Sequence, residues 1–278
     1  MNVKCFEEGN KMNENTLKSI EEEIRKSGHL VSLEASIILN KKGWQVKNAP
    51  RYFDSILGSY REVDIVAQRE SYFIKNAIDV LVIECKKSED NPWIFFNQNK
   101  INTNVFSLTI DLSEGSKGAI YDLIEKKGIF KRHYYYGKSL STYYFVLGAK
   151  PNSKKSKQIF EAVTQVLNAC IFYVNQKAKF LKECKRLKLE LPRIRPTFFY
   201  PTIVVDGKLY EVKVTKEKEE INEIKHVSLL VERELSEPSL IKLFYEPKYR
   251  PLFTKPFIVD IVKLDYFEEF LKNFDKLR

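Results

Sequence analysis

The sequence has no long apolar run. Nothing in its 278 residues approaches the stretch of about 18 apolar residues that a membrane-spanning helix needs. The first fifteen residues are polar, carry Glu7, Glu8 and Glu14, and hold no apolar segment of the secretory kind, so no leader and no membrane partner are expected. Cysteine is scarce. Cys5, Cys85, Cys170 and Cys184 stand far apart, with no C-x-x-C pair and no histidine at zinc-finger spacing. That argues against a disulfide scaffold and a structural zinc site, and it fits a reduced, cytoplasmic protein. The three histidines, His29, His133 and His226, have no partner at ligand or triad spacing. Ten glycines and ten prolines are scattered along the chain, so no linker divides it, and one domain over 1–278 is expected. There is no internal repeat and no low-complexity tract.

What is present is core and charge. Hydrophobic residues make up 44% and charged residues 30%, a globular balance and not a disordered one. The net charge of +10 argues for a polyanionic partner. Most of that excess has an address: residues 151–200 carry +8 and 101–150 carry +3, while every other window of the chain is within one charge of neutral. Lys154, Lys155 and Lys157 precede a long helical pattern, where the helix dipole disfavours cations, so a phosphate-backbone role is the better account of them. The lysines near the end of that pattern are explained in part by the same dipole.

Periodicity places the elements. Helices are predicted over Thr16–Lys26, from Ser32 to the stop at Gly43, over 156–188 with the apolar stripe Ile159, Val163, Val166, Cys170 and Val174, and from Asp265 to Phe274. Strands are predicted at 43–46, Arg61–Ala67, Ala77–Cys85, Thr142–Leu147, Thr202–Val205, Leu209–Val214, His226–Glu232 and Phe257–Val262. Asp206-Gly207 reads as a hairpin turn. Residues 87–150 read as irregular and aromatic-rich. Trp93, Phe95 and Phe96 there are better read as core than as base-stacking groups. The order implies an α/β fold: a mixed central sheet flanked by helices, with an irregular excursion over 91–150.

One segment carries chemistry. Glu84 and Lys86 are two apart at the end of an apolar strand, so both leave the same face, roughly 6.6 Å apart. Asp64 lies on the preceding strand and comes beside Glu84 if the two pair. Two carboxylates held together on a sheet repel unless a divalent cation joins them, and an oxygen-rich site of this kind suits Mg²⁺ or Mn²⁺. A lysine beside that cation can orient a water or stabilise charge on a phosphate oxygen. Such a set can hydrolyse a phosphodiester. Lys87 points to the neighbouring side and reads as solvated or DNA-flanking.

The pattern Val63-Asp64, then Glu84-Cys85-Lys86 after 19 intervening residues, resembles the PD-(D/E)XK nuclease superfamily with its restriction-endonuclease-like fold. Glu34, in Ser32-Leu33-Glu34-Ala35, matches the glutamate that family often carries on the helix before the hairpin. The resemblance covers about residues 30–90, with 1–29 as a lead-in and 151–278 as a long basic helix and the remaining strands. It departs at Val63, where a proline is common. It implies that Asp64, Glu84 and the backbone carbonyl of Cys85 ligate the metal. It also implies that Lys86 positions the water and that Glu34 acts through water or a second ion. The Cys85 side chain would be buried packing. The activity implied is an endonuclease on DNA, a hydrolase whose DNA-binding surface includes Lys87, Lys154, Lys155 and Lys157. An RNA-cleaving member, a non-catalytic nucleic-acid-binding module and an unrelated α/β protein stay open. So do a homodimer and a protein partner that supplies specificity.

Overall fold

The computed structural model describes residues 14–26, 28–55, 57–72, 77–97, 134–135, 138–187, 197–214, 218–232 and 256–275. Helices α1 (Glu14–Lys26) and α2 (His29–Lys41) come first. Strands β1 (Gln45–Asn48), β2 (Arg51–Asp54), β3 (Ser59–Glu62), β4 (Ile65–Glu70), β5 (Ile78–Asn97) and β6 (Ser141–Val146) follow. Then come helix α3 (Gln158–Arg186), strands β7 (Thr197–Val214), β8 (Glu219–Ile224), β9 (His226–Glu232) and β10 (Pro256–Lys263), and the short helix α4 (Phe267–Leu271). Eight strands make one mixed sheet in the order β1-β4-β5-β6-β9-β10-β7-β8, with β5 also paired to β7. β2 and β3 form a separate two-stranded sheet. The expected α/β arrangement with a mixed sheet and flanking helices is what the chain adopts. Among the described residues no helix is long and apolar enough to cross a membrane.

Alternation along β5 decides which layer covers which face. Val80 and Val82 join the core under α3, with Ile159, Val163, Val166, Cys170 and Val174. Leu81, Ile83 and Cys85 join the opposite core, under α2 and α4, with Val31, Ala35, Leu39, Phe267 and Phe270. A strand buried on both faces must be apolar throughout, and Val80–Ile83 is. By the same period of two, Glu84 and Lys86 leave on the α3 side.

Three expectations are corrected. The third predicted strand does not end at Cys85: β5 runs on to Asn97, pairing there with β6 and β7, and Trp93 and Phe95 are fully buried in the core as expected. Asp206-Gly207 is not a turn. β7 passes straight through it, with Asp206 opposite Lys87 and Gly207 opposite Ser88. A Cβ at Gly207 would lie 2.7 Å from the Ser88 carbonyl oxygen, so the glycine permits two backbones to approach. Finally, the predicted strand Arg61–Ala67 breaks at Val63-Asp64. Its first half becomes β3, which pairs with the unforeseen β2, and its second half becomes β4. Residues 98–133 and 136–137 of the expected excursion lie outside the described residues.

Candidate active site

Asp64 lies one residue before β4. The antiparallel register pairs Ile65 with Ile83, and one step further brings Asp64 opposite Glu84. The Cys85 backbone N–H donates to Asp64 Oδ2 at 2.6 Å, which fixes the carboxylate against the end of the motif. The backbone of Asp64 is pinned too: the Ala49 N–H donates to its carbonyl at 2.8 Å. Burial raises the Asp64 pKa above its ordinary value, while the Cys85 N–H and the charges of Lys86 and His29 pull the other way.

Glu84 is 2% exposed. Lys86 Nζ donates to its Oε1 at 2.6 Å, so the two side chains do share one face. The other carboxylate oxygen, Oε2, is buried and has no hydrogen-bond partner among the described residues. Burial pushes the Glu84 pKa up to about 7; Lys86 lowers it and Asp64 raises it. A buried carboxylate with an unmatched oxygen is costly. The donor set is hard oxygen from two acids on a rigid sheet, which fits a divalent cation of the Mg²⁺ or Mn²⁺ class. Cys85 is buried beneath the motif, with its thiol pKa raised by burial.

The helix before the hairpin reaches this place by its first turn. His29 is near enough to influence Asp64 electrostatically, Ser32 hydrogen-bonds the Cys85 side chain, and Gly28 lies against the Cys85 carbonyl. Glu34 is exposed on the same helix, whose buried residues are Val31, Ala35, Ser36 and Leu39. Among the described residues no cluster of three or more His, Cys, Asp or Glu side chains forms, so Glu34 does not complete a triad with Asp64 and Glu84.

Beside Lys86 a cleft of about 570 Å³ opens between the middle of β5 and the start of α3. Lys86, Lys87, Lys154 and Lys155 line it, with Gln158, Asn91 and Ser88 and with three acids, Glu22, Asp90 and Glu161. Three of the four predicted backbone-binding lysines, Lys87, Lys154 and Lys155, therefore border one cleft. Lys157 is exposed but does not line it. Gln158 ties the two walls together: its Nε2 donates to the Lys87 carbonyl at 3.0 Å and its Oε1 accepts from Ser88 Oγ at 3.2 Å.

Sequence reasoning missed Arg61 and Gln158. Arg61 donates from Nη2 to Gln165 Oε1 on α3 at 3.2 Å, and its charge lowers the Glu84 pKa. Neither residue sits in the motif, and their partners are about 70 to 100 positions away. Compared with family models, curated proteins and solved structures, the chain finds no match.

Proposed function

We propose that this chain is a metal-dependent nuclease with a restriction-endonuclease-like core, hydrolysing phosphodiester bonds in DNA. The observation that carries the reading is Glu84. It is a buried carboxylate, bonded to Lys86 through one oxygen and unmatched at the other, and aligned with Asp64 across the strand pair. A structural ion pair has no use for the unmatched oxygen; a cation does.

Asp64 and Glu84 would hold the ion, with the Cys85 carbonyl as a further ligand. A bound Mg²⁺ or Mn²⁺ supplies Lewis-acid polarisation of the phosphate and a more acidic water. Lys86 keeps its ammonium at the mouth of the cleft, where it orients the attacking water and offsets charge developing on the phosphate. Lys87, Lys154 and Lys155 take the backbone on either side. Glu34, exposed on α2, is left an outer role through water.

The test is incubation of the purified protein with supercoiled, linear, single-stranded and branched DNA, and with RNA, in Mg²⁺, Mn²⁺ or EDTA. The expected result is metal-dependent cleavage of DNA that disappears in Asp64→Ala and Lys86→Ala. Equal cleavage by the variants sinks the assignment, and cleavage confined to RNA overturns the DNA substrate.

A further inference from the structure

The β2–β3 hairpin is two-sided. Strand alternation puts Tyr52, Asp54 and Arg61 on one face and Arg51, Phe53, Tyr60 and Glu62 on the other. The first face is anchored to α3. Tyr52 donates from its hydroxyl to the Gln165 carbonyl at 3.3 Å, Asn168 Nδ2 donates to Asp54 Oδ2 at 2.7 Å, and Arg61 donates to Gln165 Oε1 at 3.2 Å. The hairpin is therefore held in place.

Its outer face carries aromatic rings. Phe53 and Tyr60 are register partners, their rings meet edge to face at 5.3 Å, and they are 41% and 73% exposed. A cross-strand aromatic pair stabilises a hairpin, but that purpose does not require this exposure. The next pair along, Arg51 with Glu62, already supplies a polar cross-strand contact at 3.2 Å.

The hairpin is rooted at the site. Val63 N–H donates to the Pro50 carbonyl at 3.2 Å and Ala49 N–H to the Asp64 carbonyl at 2.8 Å, closing its base against the first metal-binding carboxylate. Tyr60 is four residues from Asp64, at most roughly 13 Å along the chain. The same stripe of α3 that touches the lysine cleft through Gln158 touches the hairpin through Gln165, seven residues or roughly 10 Å along. The lysine cleft and the hairpin thus contact one helix, with Arg61 of the hairpin close enough to act on Glu84 and the two rings on the hairpin's outer face.

We infer that the hairpin is a base-stacking arm, and that the substrate presents unpaired nucleotides next to the bond to be cut. This deepens the nuclease reading and rests on it. Lysines hold a phosphate backbone whether or not its bases are paired. Rings with free faces gain from bases only when those bases are unstacked, and they do so without regard to sequence. A uniform duplex offers Phe53 and Tyr60 nothing; a single strand, a flap or a frayed end offers bases.

The test uses the full chain in EDTA with a fluorescein-labelled 20-nucleotide oligothymidylate and a 20-base-pair duplex, read by anisotropy. The variant Phe53→Val/Tyr60→Thr keeps β-branched residues in the strands and removes the rings. Affinity for the single strand should fall roughly 10- to 100-fold, and affinity for the duplex less than about twofold. Unchanged single-strand binding, or equal loss on both probes, overturns the arm. Should the double variant unfold, Tyr60→Thr alone is read the same way with a smaller loss. The binding comparison stands apart from catalysis. Absence of cleavage by the wild-type chain in Mg²⁺ or Mn²⁺ counts against the nuclease reading and leaves the arm to be decided by binding.

Discussion

Two buried carboxylates on one sheet behave in opposite ways. Asp260 on β10 is fully buried and accepts four hydrogen bonds: from Tyr134 at 2.5 Å, Tyr135 at 2.7 Å, Ser228 at 2.8 Å, and His226 Nε2 at 2.8 Å. Burial alone would raise its pKa, but the bond and charge of His226, with the tyrosine hydroxyls, hold it below the usual carboxylate range. Glu84 is as buried, yet among the described residues one oxygen is bonded by Lys86 and the other has no donor, and burial pushes its pKa up to about 7. The comparison teaches that burial does not determine what an acid is for. The number of donors does. Asp260 is a finished structural anion that pins Tyr134 and Tyr135 to the sheet, whereas Glu84 keeps one buried oxygen without a donor among the described residues.

The comparison breaks most visibly in activity. Glu84→Gln should reduce metal-dependent cleavage by about 10³-fold or more, measured on the best substrate from the initial survey. Asp260→Asn should leave the chemistry of any folded fraction intact but destabilise the protein by about 3 kcal/mol in urea unfolding at pH 7. Because the folded-state pKa of Asp260 is depressed, its contribution is complete above the ordinary value of 3.8 and is lost as pH falls below it, so the gap between wild type and variant should close there.

Glu84→Gln should do the reverse to stability. The folded pKa of Glu84 is raised, so ionising it opposes folding; this cost is full above about pH 7 and gone below about 4.5. The metal-free variant should therefore be the more stable by up to about 3 kcal/mol at pH 8, and equal to wild type near pH 4.5. Added Mg²⁺ should raise the melting temperature of the wild type and not of the variant. A destabilised Glu84→Gln would make Glu84 a structural ion pair like any other. Lys154→Ala and Lys155→Ala should each weaken DNA binding by a few fold and reduce the salt dependence of log K by about one. Glu34→Gln should have the smallest effect, a loss of cleavage below the few-fold change expected of either lysine variant, because Glu34 is exposed and outside the cleft.

The legibility of the molecule followed the range of its interactions. α3 was readable because its buried stripe repeats within the helix, every three or four residues, and Ile159, Val163, Val166, Cys170 and Val174 all turn inward. The Glu84–Lys86 pair was readable for the same reason, since two residues on a strand share a face. Gly207 was misread because a glycine after an aspartate also marks turns, and only the Ser88 backbone at its side explains it. The end of β5 was misread because Ser88–Pro92 interrupts the apolar run while the pairing to β7 resumes at Trp93. His226 had no partner at any local spacing, and its partner Asp260 lies 34 residues away on the neighbouring strand.

From the sequence alone came the chemical identity of the candidate site: two acids, a lysine and a basic segment, each legible as a residue type at a short spacing. Only the tertiary structure decided that Lys154 and Lys155 line the cleft of Lys86, that Glu34 stays outside it, and that one oxygen of Glu84 is left without a donor. The reason is physical. Spacing sets which face a side chain takes, but burial and partnership belong to elements far apart in the chain, and these decide whether a carboxylate is neutralised or left to bind something else.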